Sequence, residues 1–282
     1  MKIKMAIPKG KLQIEVNKLL GEIGLHLMGD ERNYRPHCSD PNFEVKLLKS
    51  QNIPSLVEIG QHDIGFAGLD WIAEQNADVT VLQDLGFNPV KIVACIPEDW
   101  DYDDLKNRNI IVASEYKQLS NQYLKKNGFD FQLLRSYGAT EVFPPEDADM
   151  IIDNTSTGTT IRANRLKIVD TVYTSSTQFF ANKKALEDPA KKQIISDMLL
   201  LMNGVLNGRK RVLLEMNCQQ QDIERIVELL PAMRSPTVSQ LYKSDAFSIK
   251  AAIPERDVQS LIPALIENGA TDILEIPINK VL

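Results

Sequence analysis

Cysteine is scarce in this chain of 282 residues. Cys38, Cys95 and Cys218 are an odd number, far apart and without a CxxC pair, which excludes a disulfide framework and a zinc knuckle. Cys95, inside the run from Val90 to Pro97, reads as a small buried apolar residue. Histidine is equally sparse: His26, His37 and His62 have no metal-ligand spacing and read as surface or structural residues. No run of about 18 apolar residues is present, so no span of a membrane is expected. No charged segment followed by an apolar core opens the chain; Met1-Lys2-Ile3-Lys4-Met5 leads directly into a strand, and a cytoplasmic protein is expected. Basic residues are outnumbered, 32 against 38 acidic ones, a net charge of −6 that argues against a general nucleic-acid binder while allowing a local basic pocket. Internal repeats and low-complexity segments are also missing.

What is there is ordinary soluble-protein composition, 43% hydrophobic and 25% charged, over a length that suits two or three domains. Strands are predicted at 3–8, 63–68, 79–82, 90–96, 109–114, 131–134 and 150–153. A helix follows the first strand, with Leu12, Val16, Leu19, Leu20 and Ile23 on one face and Gly24 closing it; others run through 71–74, 116–127 and 189–207. Near-continuous apolar strands alternating with helices predict parallel sheets covered on both faces. After Gly208 a compact unit reads strand 211–216, helix 223–230, strand pair 237–242 and 246–253, helix 258–268 and strand 272–276. That β-α-β-β-α-β order is the ferredoxin-like pattern, in about 70 residues, a size that suits a small regulatory module.

The richest stretch is Asp149 to Asn164. A short apolar strand passes into Asn154-Thr155-Ser156-Thr157-Gly158-Thr159-Thr160 and then turns helical. Backbone N–H groups, short hydroxyls and a strand-to-helix turn suit a phosphate, and Asp153 at the strand end suits a sugar hydroxyl. A Thr-rich turn with an ordinary cap is the alternative. It is not a Walker loop, because no Gly-Lys-Ser/Thr follows the first glycine. Other strand ends carry chemistry too. Lys9 and Lys11 flank Gly10 at a helix start, either as solvated lysines or as a polyanion site. Asp70 follows the 63–68 strand, to cap the next helix or to meet a ligand. Tyr116 follows the 109–114 strand, as a packing residue or as a flat surface for a base. Glu141 follows the 131–134 strand. Arg32 and Arg35 lie in an irregular polar stretch, solvated or reaching anionic groups. In open α/β sheets such strand ends share one ligand crevice.

These residues carry a resemblance. Pro-Lys-Gly-Lys-Leu near the start, Gly-Leu-Asp-Trp at 68–71, Ser-Glu-Tyr at 114–116, Gly-Ala-Thr-Glu at 138–141, the run at 148–164 and Ser-Pro-Thr-Val-Ser at 235–239 resemble the ATP phosphoribosyltransferase family, over essentially the whole chain. The unit after Gly208, with Lys210 to Asn217 and Gly269 to Leu274, is similar to the regulatory domain of the long form. The resemblance implies an α/β fold of two periplasmic-binding-protein-like catalytic lobes plus a C-terminal ferredoxin-like (βαββαβ) regulatory domain. The expected divisions are 1–90 with 180–207, 91–179, and 211–282. It implies a glycosyltransferase that moves phosphoribosyl from phosphoribosyl pyrophosphate to N1 of ATP, releases pyrophosphate, uses Mg2+ and begins histidine biosynthesis.

By the same resemblance, Glu141, Asp153 and Lys9 are the catalytic residues. Asp153, Asn154, Thr155, Ser156, Thr157, Gly158, Thr159 and Thr160 hold phosphoribosyl pyrophosphate, and Lys9, Lys11, Asp70 and Tyr116 meet ATP. Asn217, Ser235, Thr237, Ala270 and Thr271 take histidine as inhibitor. No protein ligand set for the metal is implied; Mg2+ arrives mainly on substrate. A homo-oligomer, dimer to hexamer, is expected, without a separate regulatory subunit, nucleic acid or membrane. Two departures show: Lys11 stands where the family often has arginine, losing the bidentate fork, and Asn217 where relatives have aspartate. Two other readings compete, a solute-binding module of the same two-lobed fold and an amino-acid-responsive regulator. The missing leader disfavours the first, and the lack of a helix-turn-helix or basic face disfavours the second.

Overall fold

A computed structural model describes residues 2–29, 33–233 and 235–282. Arg32 lies outside the described residues. The chain divides into two compact units, one of residues 1–21 with 25–193 and one of 22–24 with 194–282.

The first unit holds two five-stranded sheets. In chain order its elements are β1 (Ile3–Pro8), α1 (Lys11–Glu22), the two-residue pair β2 (Leu27–Met28) and β3 (His37–Cys38), β4 (Phe43–Leu48), α2 (Ile53–Glu58), β5 (Ile64–Gly68), α3 (Leu69–Gln75), β6 (Thr80–Asp84), β7 (Val90–Pro97), β8 (Asn109–Ser114), α4 (Lys117–Lys126), β9 (Asp130–Arg135), β10 (Met150–Thr155), α5 (Thr159–Ala163), β11 (Leu166–Ser175), β12 (Thr177–Ala181) and α6 (Lys183–Glu187). One sheet runs β4-β1-β5-β12-β6 and the other β11-β7-β10-β8-β9.

The expectation of purely parallel sheets is corrected. β12 runs antiparallel to β5 and β6, and β7 runs antiparallel to β10 and β11. The cause is connectivity. Residues 85–89 carry the chain from the first sheet to the second, and Ser176 alone, between β11 and β12, carries it back. β7 and β12 are the strands that receive these crossings, each entering its sheet directly from the other sheet instead of through a helix from a neighbouring strand. The strands remain apolar because both faces are covered: Ile3, Met5, Ile7, Phe66, Phe179 and Phe180 are fully buried, with Phe66 and Phe179 stacked at 5.0 Å. Ile92, Ile110, Val112, Leu124, Met150 and Ile152 fill the second core. Cys95 is buried as expected, its thiol pushed up to about 12 by burial first and by the Asp153 carboxylate second. His62 is buried too, with its Nδ1 unpartnered and its pKa held down by burial and then by Lys46 and Lys4.

α7 (Pro189–Gly208) leads into the second unit, where β13 (Arg211–Gln219), α8 (Ile223–Leu229), β14 (Thr237–Gln240), β15 (Ala246–Pro254), α9 (Val258–Glu267) and β16 (Thr271–Pro277) give the β-α-β-β-α-β order. The sheet order β14-β15-β13-β16, antiparallel throughout, is ferredoxin-like. β13 alternates strictly: Val212, Leu214, Met216 and Cys218 are buried against α8 and α9, while Leu213, Glu215 and Asn217 turn to the open face.

Candidate active site

A cavity of about 1050 Å3 in the first unit gathers most of the strand-end residues singled out from sequence. Lys11, Asp70, Tyr116, Glu141, Asp153, Asn154, Thr155, Ser156, Thr157, Thr159 and Thr160 line it. The two sheet crossings line it as well, through Phe87, Asn88, Pro89, Ser175, Ser176 and Thr177. Lys9 is absent from the lining; its ammonium lies 4.1 Å from the centre of the Tyr34 ring. Gly10, at φ +97°, makes the turn that sends the two lysines apart.

The 154–160 loop is held by its own hydroxyls. Thr155 accepts the Gly158 amide at 2.9 Å, Thr157 and Thr159 share a hydroxyl contact at 2.9 Å, and Arg162 donates to the Thr157 carbonyl at 3.2 Å. The amides of Ser156, Thr157, Thr159 and Thr160 meet no protein acceptor among the described residues. Gly158 sits at φ +73°, a conformation other residues adopt only with strain. Asp153, half-buried at the end of β10, accepts the Asn154 amide at 2.7 Å. Its carboxyl is raised to about 6, by burial first and also by the neighbouring Glu115 and Glu141 charges, against the lowering effect of bonds from Asn154 and Thr140. A carboxylate beside a wall of free amides and hydroxyls separates two tasks: the donors suit an anion, and the acceptor suits sugar hydroxyls.

Asp70 departs from the capping alternative. α3 begins at Gly68 without a side-chain cap, and Asp70 turns into the protein, with Oδ1 accepting the Ser175 hydroxyl at 2.6 Å and Oδ2 accepting the Tyr116 hydroxyl at 2.8 Å. A Cβ on Gly68 would lie 2.1 Å from Asp70 Oδ1, so this bond requires glycine there. Tyr116 is 1% exposed and stacks on Trp71 at 4.8 Å, while Asn154 donates to its hydroxyl at 3.2 Å. Burial and the Asp70 charge raise the Tyr116 pKa, so its hydroxyl stays protonated. Tyr116 is thus packed against Trp71 and also reaches the cavity lining. Sequence reading missed Ser175, Ser176, Thr177 and residues 87–89. The β-rich run Thr177-Gln178-Phe179-Phe180-Ala181 was the available signal.

In the second unit the residues assigned to histidine do not converge. Ala270 and Thr271 line a cavity of about 570 Å3 with Ile262, Ile266, Asp272 and Glu275. Asn217 lies beside it and donates to Asp272 at 3.0 Å, and Asp272 stands at φ +50° next to a bulge in the β13–β16 pairing. Thr237 is on β14, separated from β13 by β15, and Ser235 precedes it.

Two α/β sheets around a cleft, with hydroxyls and free amides beside carboxylates, have the chemistry that suits a phosphorylated sugar. Family comparison makes this specific. The family described as ATP phosphoribosyltransferase matches residues 49–204, and its C-terminal domain matches residues 208–280. The chain is 38% identical over 288 residues to the ATP phosphoribosyltransferase of Pelotomaculum thermopropionicum, covering 100% of both. It is also 38% identical to that of Thermodesulfovibrio yellowstonii, covering 99% of this chain and 98% of the relative. The chain belongs to the ATP phosphoribosyltransferase family, pentosyltransferases that join ATP and phosphoribosyl pyrophosphate in the first step of histidine biosynthesis. The fold is also similar, at TM-score 0.64 and 21% identity, to an ATP phosphoribosyl transferase (HisG:HisZ) complex from Thermotoga maritima, over 71% of this chain and 98% of that one. No helix among the described residues is long and apolar enough to cross a membrane.

Proposed function

We propose that the 1050 Å3 cavity is where phosphoribosyl pyrophosphate and ATP meet, and that the 154–160 loop takes the 5-phosphate. The observation carrying this reading is the set of unpartnered amides of Ser156, Thr157, Thr159 and Thr160 with the loop's short hydroxyls, contiguous with Asp153 on the same wall. Asp153 and Glu141 hold the ribose hydroxyls. Adenine N1 attacks the anomeric carbon with its own lone pair, the bond to pyrophosphate oxygen breaks, and pyrophosphate leaves with that electron pair. Positive charge grows on the ribose as the bond breaks, and the two carboxylates face it. N1 carries no proton to remove, so no general base is needed; the work is alignment and charge stabilisation.

Lys11 on the cavity wall meets anionic oxygens of ATP or pyrophosphate. Lys9 joins it by swinging off Tyr34 on its flexible stem. Asp70 and Tyr116 shape the nucleotide side from beneath. Carboxylates and hydroxyls are the hard oxygen donors that suit Mg2+. Among the described residues no cluster of three or more His, Cys, Asp or Glu is arranged to hold a metal. An ion carried largely on substrate oxygens would offset the charge of the leaving pyrophosphate.

The reading extends to regulation. Residues 1–90 with 180–207 and residues 91–179 form the catalytic lobes, and 211–282 binds histidine and joins subunits, dimer to hexamer, without a separate regulatory subunit. Asn217, Ser235, Thr237, Ala270 and Thr271 form the effector site, and since they do not converge in one chain, a second copy completes it. Inhibition requires histidine to favour one arrangement of the protein over another. The setting is cytoplasmic. Pyrophosphate release on mixing ATP, phosphoribosyl pyrophosphate and Mg2+ tests the reaction, and its absence from folded protein would refute it. A chain ending at Asn207 that was still inhibited by histidine would refute the regulatory part.

A further inference from the structure

α3 turns one face toward the second lobe, and both carboxylates on that face are engaged there. Asp70 reaches Tyr116, Trp71 stacks on the same ring, and Glu74, one turn further on, reaches α4. The Glu74 carboxylate accepts the Gln118 amide at 2.9 Å through either oxygen and the Leu119 amide at 3.0 Å. Those are first-turn amides of α4, and the residue preceding α4, Tyr116, gives it no side-chain cap. The cap of α4 is thus supplied from the other lobe. Such a carboxylate ordinarily comes from the residue beside the helix. Supplied from α3, it ties the start of α4 to the opposite sheet, and the two residues before α4, Glu115 and Tyr116, line the cavity. A fourth link runs parallel: Gln51 donates to Glu115 at 3.1 Å.

We propose that Glu74 is a positioning residue for phosphoribosyl transfer: by capping α4 from α3 it fixes the span between the Lys11 wall of one lobe and the 154–160 loop of the other. Only residues 85–89 and Ser176 carry the chain between the two sheets. Two crossings leave rotation about the line through them, and the α3–α4 seam opposes it. In the proposed site the nucleotide meets Lys11 and Asp70 from one sheet and Tyr116 from the other, while the 5-phosphate meets the 154–160 loop, so a small rotation between the sheets changes the distance between the reacting groups. Glu74 does not line the cavity and touches neither substrate; its effect on rate passes through α4.

The test separates positioning from simple helix capping. Glu74→Gln keeps the shape and loses the charge. Its kcat falls roughly 10- to 100-fold, the scale of a misplacement of about 1 Å, while KM for phosphoribosyl pyrophosphate stays within about twofold, because its loop lies in one lobe. Adding Gln118→Glu to that variant restores a negative charge at the α4 start from within the same lobe. It recovers Tm and not kcat. Recovery of both would overturn the proposal, as would wild-type kcat in Glu74→Gln alone. If Glu74→Gln fails to fold, Glu74→Asp decides by the same readout: it keeps the charge on a shorter stem, so Tm holds while kcat falls, and an unchanged kcat overturns the proposal. Pyrophosphate release by the unaltered protein is the control, since its absence would implicate the activity rather than Glu74.

Discussion

Two turns reach toward the cavity from opposite lobes, Pro8–Lys11 and Asp153–Thr160, and they keep different fractions of what their sequences offer. The second delivers nearly everything: its hydroxyls brace each other, its amides other than that of Gly158 stay free, and Asp153 joins the same wall. The first delivers one of two lysines, because Gly10 reverses the chain between them and Lys9 settles on Tyr34. A site built from consecutive backbone amides is carried wherever its segment goes. A site built from long charged side chains depends on which way each stem leaves the backbone, and that is decided by residues far away in sequence.

The sharpest way to break this comparison is at Asp153. Asp153→Asn keeps the shape of the loop and removes one acceptor facing the charge that develops on the ribose. A loss of roughly 10²-fold in kcat/KM is expected, the scale for removing one electrostatic partner of a transition state. Steady-state rates with both substrates check it. If kcat/KM stays at the wild-type value, the carboxylate has no part in the reaction.

Gly158→Val comes next. At φ +73° the substitution strains the loop and lifts its amides away from the phosphate position. KM for phosphoribosyl pyrophosphate should rise about tenfold or more, with KM for ATP much less affected. An unchanged KM in a folded variant would remove the loop from the phosphate site.

The lysines test the other turn. Lys11→Ala should weaken nucleotide binding roughly tenfold, as expected for one charge-assisted contact. Lys9→Ala should cost less, because recruiting Lys9 first gives up about 0.5–1 kcal/mol of its hold on Tyr34. Equal losses from the two would mean that Lys9 enters the cavity as readily as Lys11.

How much could be read beforehand follows the same division. The 150–153 strand, the 154–160 loop, the α1 face with Val16, Leu19 and Leu20, and the β-α-β-β-α-β unit were all legible, because each is fixed by local periodicity or turn chemistry. The mixed strand directions were not, since an apolar strand reads alike in either direction. The Asp70–Ser175 bond joins residues 105 apart in sequence, and nothing near Asp70 announces it. The Trp71 stack on Tyr116 joins residues 45 apart in sequence, and nothing near Tyr116 announces it. Asn217 and Thr237 sit on strands separated by β15, and strand order cannot be read from strand sequence.

The smallest effect expected is on stability, and its sign runs against that on rate. Folding raises the Asp153 carboxyl from 3.8 to about 6. Between those values the folded protein binds more protons than the unfolded chain, so this group's contribution to stability falls as pH rises through the window. Above about pH 6 the folded state carries the full cost of a charge that burial and the neighbouring Glu115 and Glu141 disfavour; below about pH 4 that cost is gone. Asp153→Asn should therefore melt a few degrees higher than the unaltered protein at pH 7.5, at roughly 2–4 °C per kcal/mol for a unit of this size, and the gap should close on titration to pH 4. The same ionisation governs activity: kcat/KM for phosphoribosyl pyrophosphate falls below about pH 6 as the acceptor is protonated, and this limb disappears in the amide variant. Thermal melts across pH, set beside the rate profile, check both. A variant that melted lower at pH 7.5, or kept the acid limb, would show that the strain at Asp153 and its use in the reaction are separate matters.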